Sequence, residues 1–436
     1  MAEIHPFRAL RFSPAKVPIS AAVTQPYDKI SKEMQQRYYD AHPNNVVRIV
    51  LGRSKPQDSP EDNTYTRAAA YLKEWRQSGV LERLDSPAFF VYSQRFAIPG
   101  TGETHTRQGF IGLEQLEEYS KKIVFPHERT LSGPKTDRLE LLRHTRTHFE
   151  QIFMLYEDPA QRIDRMLTQA TRREPDTRLI DEYGAEHTLW ATDHPDIVRS
   201  IQREMAGKKL IIADGHHRYE TALAYRDEVR AATGRTDPGA PHNCLPMTFF
   251  NMDAPGLTIL PTHRVVSKLD NFDRNAFLRC ASEFFDVEEA PQETGSLRAG
   301  LQARGERRST IAVCMDKGTR SLFLGLRTTV DLRPLMPDLS QKQRALDVVL
   351  LHRLLLDKCL GISEDAVKKE SYIKYVRELS AAVDAVRGGA AQISFLLNPT
   401  PLQAMRDIAY EGNVMPQKST DFYPKVLSGL VMYPLE

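Results

Sequence analysis

The sequence predicts an α/β protein, and three observations carry that prediction. Apolar runs of strand length, as at residues 151–156 and 210–213, alternate along the chain with stretches whose apolar residues recur at helical spacing. Polar, chemically capable residues follow several of those runs, where strand ends meet turns. The length of 436 residues exceeds what one hydrophobic core usually serves, so two or three packed subdomains are expected.

The N-terminal region begins with Gln25-Pro26-Tyr27-Asp28 in a proline-punctuated loop, where Asp28 is either a turn-former or a contributor to a site. Residues 44–52 read as a strand ending on glycine. Ser59-Pro60-Glu61-Asp62 starts a helix whose inward face is Tyr65, Ala68, Leu72 and Trp75, with Gly79 as its stop. Residues 88–96 and 107–113 then form paired strands.

In the central region a short strand runs into Pro126-His127-Glu128-Arg129-Thr130, and a helix follows from about Thr136. A glutamate at a strand end can take a proton from a hydroxyl nucleophile within hydrogen-bond reach. The competing reading is a surface salt bridge between Glu128 and Arg129. Residues 178–181 and 188–191 make a hairpin around Tyr183-Gly184, and residues 195–205 a helix. The strand at 210–213 ends on Asp214-Gly215, and helical spacing resumes with Tyr219, Ala222 and Leu223. Asp214, His216, His217 and Arg218 therefore stand at a strand's carboxyl end and a helix N-terminus, where free N–H groups and the dipole favour phosphate. The plainer alternative is a capped helix carrying solvated histidines.

Further on, Thr262-His263-Arg264 puts cationic side chains past an apolar run, either for an anion or for a neighbouring carboxylate. Residues 273–285 read as a helix, 309–314 and 321–326 as paired strands, and 343–360 as one long helix with Val348, Leu351, Leu355 and Cys359 inward. His352 on that helix reads as packed or partly exposed rather than as a metal ligand. A strand at 392–397 and a helix at 401–410 lead to the Gly412–Thr420 loop, where Lys418, Ser419 and Thr420 suit a tetrahedral oxyanion or are simply solvated.

Composition excludes several classes. With 41% hydrophobic and 27% charged residues and a net charge of +2, the chain is an ordinary globular protein with no basic surface for nucleic acid. Small molecules are the expected partners. No apolar run suits a secretory signal or a membrane span, so a cytoplasmic location is expected. Cys244, Cys280, Cys314 and Cys359 are scattered, which favours free buried thiols over disulfides or zinc. Walker-type, G-x-G-x-x-G and kinase H-R-D motifs are all missing from the sequence.

Pro126-His127-Glu128, Asp214-Gly215-His216-His217-Arg218 and Pro416-x-Lys418-Ser419-Thr420, in that order, resemble the motifs of the ADP-dependent free-serine kinases of the ParB/sulfiredoxin superfamily. The whole chain, with Gln25-Pro26-Tyr27-Asp28 and Leu260-Pro261-Thr262-His263-Arg264, resembles the bacterial family catalogued as domain of unknown function 1015. The resemblance implies a ParB/sulfiredoxin-like catalytic core over residues 116–270, with additional α/β regions before it and after it. The separation of Glu128 and Asp214 departs from the kinase pattern, and the N-terminal region has no counterpart there.

What the resemblance implies runs residue by residue. Glu128 matches the catalytic glutamate, a general base on the serine hydroxyl, and Asp214 the aspartate beside the phosphates and the metal, usually Mg²⁺. Gly215, His216, His217 and Arg218 match the loop that holds the phosphates of ADP or ATP. Lys418, Ser419 and Thr420 match the loop that holds the phosphorylated amino acid, although Asp421 and Phe422 stand where the kinases have an arginine and a histidine; His263 and Arg264, as anion binders, are expected to add to substrate binding. The implied activity is a transferase of phosphate between a nucleotide and serine or O-phosphoserine, of use in serine biosynthesis in its serine-forming direction. A nucleotide-gated binding protein of the ParB type is the alternative.

Overall fold

The computed structural model describes residues 2–128 and 133–436. The chain packs as two units, one of Met1–Pro126, Thr130–Leu257 and Pro424–Glu436, the other of His127–Arg129 and Thr258–Tyr423. The divisions expected near residues 115 and 270 fall elsewhere, because strands from both sides of residue 115 hydrogen-bond into one sheet. Arg129 and Thr130, named above beside Glu128, lie outside the described residues.

The first unit is built on a nine-stranded mixed sheet. Its order is Val124–Phe125, Leu210–Asp214, Ile152–Tyr156, Cys244–Asn251, Thr104–Gln115, Phe89–Ala97, Glu186–Thr192 and Thr177–Ile180, with Ile4–His5 also pairing on Thr104–Gln115. Leu210–Asp214 runs parallel to Val124–Phe125 and antiparallel to Ile152–Tyr156, so it is a central strand, and its apolar residues are buried. That explains its unbroken apolar run. Phe89, Phe110, Met154, Ile212, Tyr219 and Phe249 are among the side chains of the main core.

A second core cluster in this unit gathers Ala68, Leu72 and Trp75 from the Thr64–Gln77 helix around Ile49 and Val50. The expected helix face is confirmed here; the expected strand at 44–52 is not. Val47–Val50 is a short helix, started by Asn45, whose side-chain oxygen accepts from the Val47 N–H at 2.9 Å. Every residue from Val46 to Val50 except Arg48 is buried, and a continuous apolar run looks alike in either conformation.

The second unit centres on a six-stranded antiparallel sheet ordered Phe285–Glu289, Arg320–Leu326, Thr310–Met315, Ile393–Leu396, His263–Val266 and Ile373–Val376. On one face, Leu297, Leu301, Ala382, Val383 and Val386 pack on Val265, Ala312, Phe323 and Leu396. On the other, Phe277 of the Arg274–Phe284 helix meets Phe395 with ring centroids 6.0 Å apart.

Two expectations are corrected in this unit. The long helix at 343–360 is instead Gln341–Arg344, Asp347–Leu350 and a π-helical stretch, Leu351–Cys359. Stretches of π-helix keep the apolar stripe roughly in place while changing the hydrogen-bond ladder, so periodicity alone does not reveal them. Cys280 and Cys359 are joined in a disulfide with Cα atoms 5.5 Å apart, whereas Cys244 and Cys314 are free and buried. The bonded pair is 79 residues apart in sequence, and only the packing of their two helices brings them together.

Candidate functional site

The sequence-predicted residues fall into two clusters, one in each unit. In the first unit, Asp214 ends its strand and Gly215 takes a φ of 97° before the 18-residue His216–Thr233 helix. A side chain at 215 would be strained by that φ, and its Cβ would come within 3.0 Å of the Arg218 guanidinium. Glycine thus lets Arg218 fold back onto the preceding aspartate. The Arg218 Nη2 donates to Asp214 Oδ2 at 2.8 Å and its Nη1 to the Gln151 carbonyl at 2.6 Å. His216 and His217 occupy the helix's first turn, His216 buried and His217 half-buried.

Sequence reasoning missed the other cation. Lys425 Nζ donates to Asp214 Oδ1 at 2.7 Å and is itself buried. Burial alone would raise the Asp214 carboxyl, but Lys425, Arg218 and Lys29 outweigh it and hold the group far below the usual carboxylate range. Burial likewise opposes the charge on Arg218, and Glu150, Asp214 and Asp28 together keep it above its ordinary value. Asp28, in the Tyr27–Lys29 turn, is therefore electrostatically part of this cluster. Glu150 anchors the same turn by accepting from the Tyr27 N–H at 3.2 Å.

Both oxygens of Asp214 are engaged by cations, Oδ2 by Arg218 and Oδ1 by Lys425. Among the described residues no group of three or more His, Cys, Asp and Glu side chains is placed to hold a metal ion. The cluster instead offers Lys425, Lys29, Arg218 and a helix N-terminus to an anionic group.

In the second unit, Glu128 pairs by a single parallel bridge with Met415, within the predicted Gly412–Thr420 loop. Its carboxylate is ringed by that loop. Oε2 accepts from the Lys418 N–H at 3.2 Å, and Oε1 from the N–H of Ser419 at 3.0 Å, the N–H of Thr420 at 3.1 Å and the Thr420 hydroxyl at 3.1 Å. A left-handed φ of 58° at Lys418 turns successive amides toward one point, the arrangement by which backbone nests bind anions. His127 Nε2 lies 2.7 Å from the Thr420 hydroxyl. Among the described residues the Lys418 ammonium has no hydrogen-bond or ion-pair partner.

His263 and Arg264 follow the strand Thr258–Leu260, as expected, but open a second strand, His263–Val266, in which both are buried. The Leu397 N–H donates to His263 Nδ1 at 3.2 Å, and burial, aided by Arg264, lowers His263 to about 3, so this imidazole is a neutral structural partner. Arg264 donates to the carbonyls of Thr262 and, at 2.9 Å, Lys418, which ties it to the loop.

The model of the family described as protein of unknown function (DUF1015) matches residues 4–349. The chain belongs to that family. No curated protein matches it in sequence. Among solved structures, this DUF1015 chain resembles a free serine kinase in complex with AMP, at 12% identity and a TM-score of 0.34, covering 69% of this chain and 83% of that one. It also resembles SbnI with a C-terminal truncation from Staphylococcus aureus, at 11% identity and a TM-score of 0.34, covering 74% of this chain and 87% of that one. A conserved hypothetical protein from Pyrococcus furiosus matches at 11% identity and a TM-score of 0.32, over 69% of this chain and 87% of that one. Among the described residues no helix is long and apolar enough to cross a membrane.

Proposed function

We propose that this chain is a phosphotransferase that moves a phosphoryl group between a nucleotide and free serine, in either direction. The observation that carries the reading is the Glu128 loop: three backbone amides and a hydroxyl converge on one carboxylate, beside an ammonium with no partner among the described residues. Such a cradle fits an oxyanion of one to two charges, and the protein's own glutamate fills it. On this reading the phosphate of O-phosphoserine exchanges with Glu128 for the amides, with Lys418 supplying the extra charge. The released carboxylate then serves the serine hydroxyl.

In the phosphorylating direction, the bond from serine Oγ to phosphorus forms as phosphorus leaves the bridging oxygen of the nucleotide, and the hydroxyl proton passes to Glu128. Gly215, His216, His217 and Arg218, at the N-terminus of the His216–Thr233 helix, with Lys425 and Lys29 beside Asp214, supply charge and donors for the phosphates of ADP or ATP. On this reading the first unit carries the ParB/sulfiredoxin-like core. His263 supports the strand that presents Arg264.

The test is serine formation from O-phosphoserine by the purified protein, with and without ADP or AMP. Nucleotide-dependent serine release is expected, with kcat reduced roughly 10²–10⁴-fold in Glu128→Gln. Turnover unchanged in Glu128→Gln removes that residue from the chemistry; no serine under any condition overturns the assignment.

A further inference from the structure

Arg264 is an anomaly for a buried charge. Its residue is 1% exposed, its only hydrogen-bond partners are two backbone carbonyls, and no carboxylate lies within ion-pair distance among the described residues. Its Nε is buried with no hydrogen-bond partner among the described residues. Burial lowers this guanidinium to about 10 against the opposing influence of Tyr375 and Glu128, and carbonyls satisfy its N–H groups without cancelling its charge. Water could satisfy the vacant Nε equally well. Glu128 acts on the charge without forming an ion pair with it, so an anion at Nε would be the first to meet the guanidinium directly.

A second orphan belongs to the same face of the same sheet, and a third stands on a helical stretch within reach of the Arg264 charge. Arg264 and Tyr375 are directly opposed in antiparallel register, so their side chains share a face, and the guanidinium carbon lies 5.2 Å from the Tyr375 ring centroid. That face is opposite the one on which Val265 packs under the Leu379–Arg387 helix. Among the described residues the Tyr375 hydroxyl is buried without a hydrogen-bond partner, and so is Nε2 of His352. His352 stands in the π-helical stretch and is close enough to Arg264 to feel its charge. Burial, reinforced by Arg264, lowers His352 to about 3, so at neutral pH it offers a neutral N–H donor rather than a second charge.

We propose that Arg264 Nε, the Tyr375 hydroxyl and His352 Nε2 together hold the carboxylate of the amino-acid substrate. One fixed positive charge and two neutral donors match a monoanion in charge and in number of acceptor sites. Arg264 also holds the carbonyl of Lys418, whose ammonium and following amides are assigned to the phosphate, so one residue links the two ends of an O-phosphorylated amino acid. This assignment rests on the serine reading above and deepens it.

The experiment compares O-phosphoserine with ethanolamine phosphate, which differs only in lacking the carboxylate, in the full-length protein and in Tyr375→Phe. That variant removes one oxygen that has no partner, so its melting temperature should be equal to or above that of the parent. The KM for O-phosphoserine should rise roughly 10-fold or more while that for ethanolamine phosphate stays unchanged. Arg264→Met should do the same more strongly, and Tyr375→Phe keeps the test valid if the arginine variant fails to fold. Equal changes for both substrates, or none, overturn the carboxylate site while leaving the phosphotransferase reading intact.

If neither compound is turned over, calorimetry with L-serine, ethanolamine and inorganic phosphate reads the site directly. Binding of L-serine but not ethanolamine, weakened by Tyr375→Phe, supports the carboxylate site even with the serine-transfer reading lost. Weakened binding of inorganic phosphate alone makes this a phosphoryl site and overturns the proposal. Absence of binding by all three overturns it as well.

Discussion

The two candidate clusters each centre on one carboxylate, but they neutralise it by different means. Asp214 is matched by side chains, Lys425 at 2.7 Å and Arg218 at 2.8 Å, both largely withdrawn from water. Glu128 is matched by the amides and hydroxyl of residues 418–420. Charges that face each other in a buried site are stranded when one is removed, whereas amides that lose a carboxylate can turn to water or to another oxyanion. The first cluster is therefore tied to stability, and the second is built for exchange.

The largest effect expected from this contrast is on the stability of Asp214→Asn. Removing that charge leaves Lys425 and Arg218 without their shared partner, which costs about 3–5 kcal/mol. Denaturant unfolding at pH 7 checks it, and a loss below about 1 kcal/mol would erase the distinction between the clusters. Glu128→Gln, by comparison, should lose no more than about 1–2 kcal/mol, since the amide oxygen still accepts from the loop.

The pH dependence sharpens the same point. Because the folded Asp214 carboxyl is held below its unfolded value of about 3.9, its contribution to stability is fully present above that pH. The contribution is lost as pH falls from about 4 toward the lower folded value. Stability measured between pH 7 and pH 2 should fall along this limb in the parent and fall less in Asp214→Asn; parallel curves would show that the ion pairs add nothing.

How much of this was legible in the sequence follows from the range of each interaction. The strand, glycine turn and helix at 210–233 are local, and residues from Asp214 to Arg218 came together as expected. Lys425 could not be found that way, because it is 211 residues from Asp214 and follows no motif. Glu128 and the Lys418-Ser419-Thr420 loop were each singled out, but that one would be the ligand of the other, across 290 to 292 residues, has no signal in composition or period. The buried carbonyl-bound state of Arg264 was likewise hidden, since a cation after an apolar run reads as a loop residue when a second strand in fact begins at His263. The helix stretch at 47–50 and the π-helix at 351–359 were misread because apolar runs fix burial but not backbone conformation.

The smallest structural effect belongs to Lys418→Ala. With no partner for its ammonium among the described residues, the melting temperature should move by a degree or two at most, whereas the KM for O-phosphoserine should rise roughly 10- to 150-fold. A large loss of stability instead would place Lys418 with the Asp214 type of cluster rather than with an exchangeable cradle.

Phosphorus NMR of the purified protein with serine and ADP or ATP tests the central claim most directly, because it follows the phosphoryl group itself. The account predicts that a phosphoserine resonance grows as the nucleotide loses its terminal phosphoryl group, at a rate cut at least a hundredfold in Glu128→Gln. Absence of a phosphoserine resonance with either nucleotide, in the parent as in the variant, would contradict it.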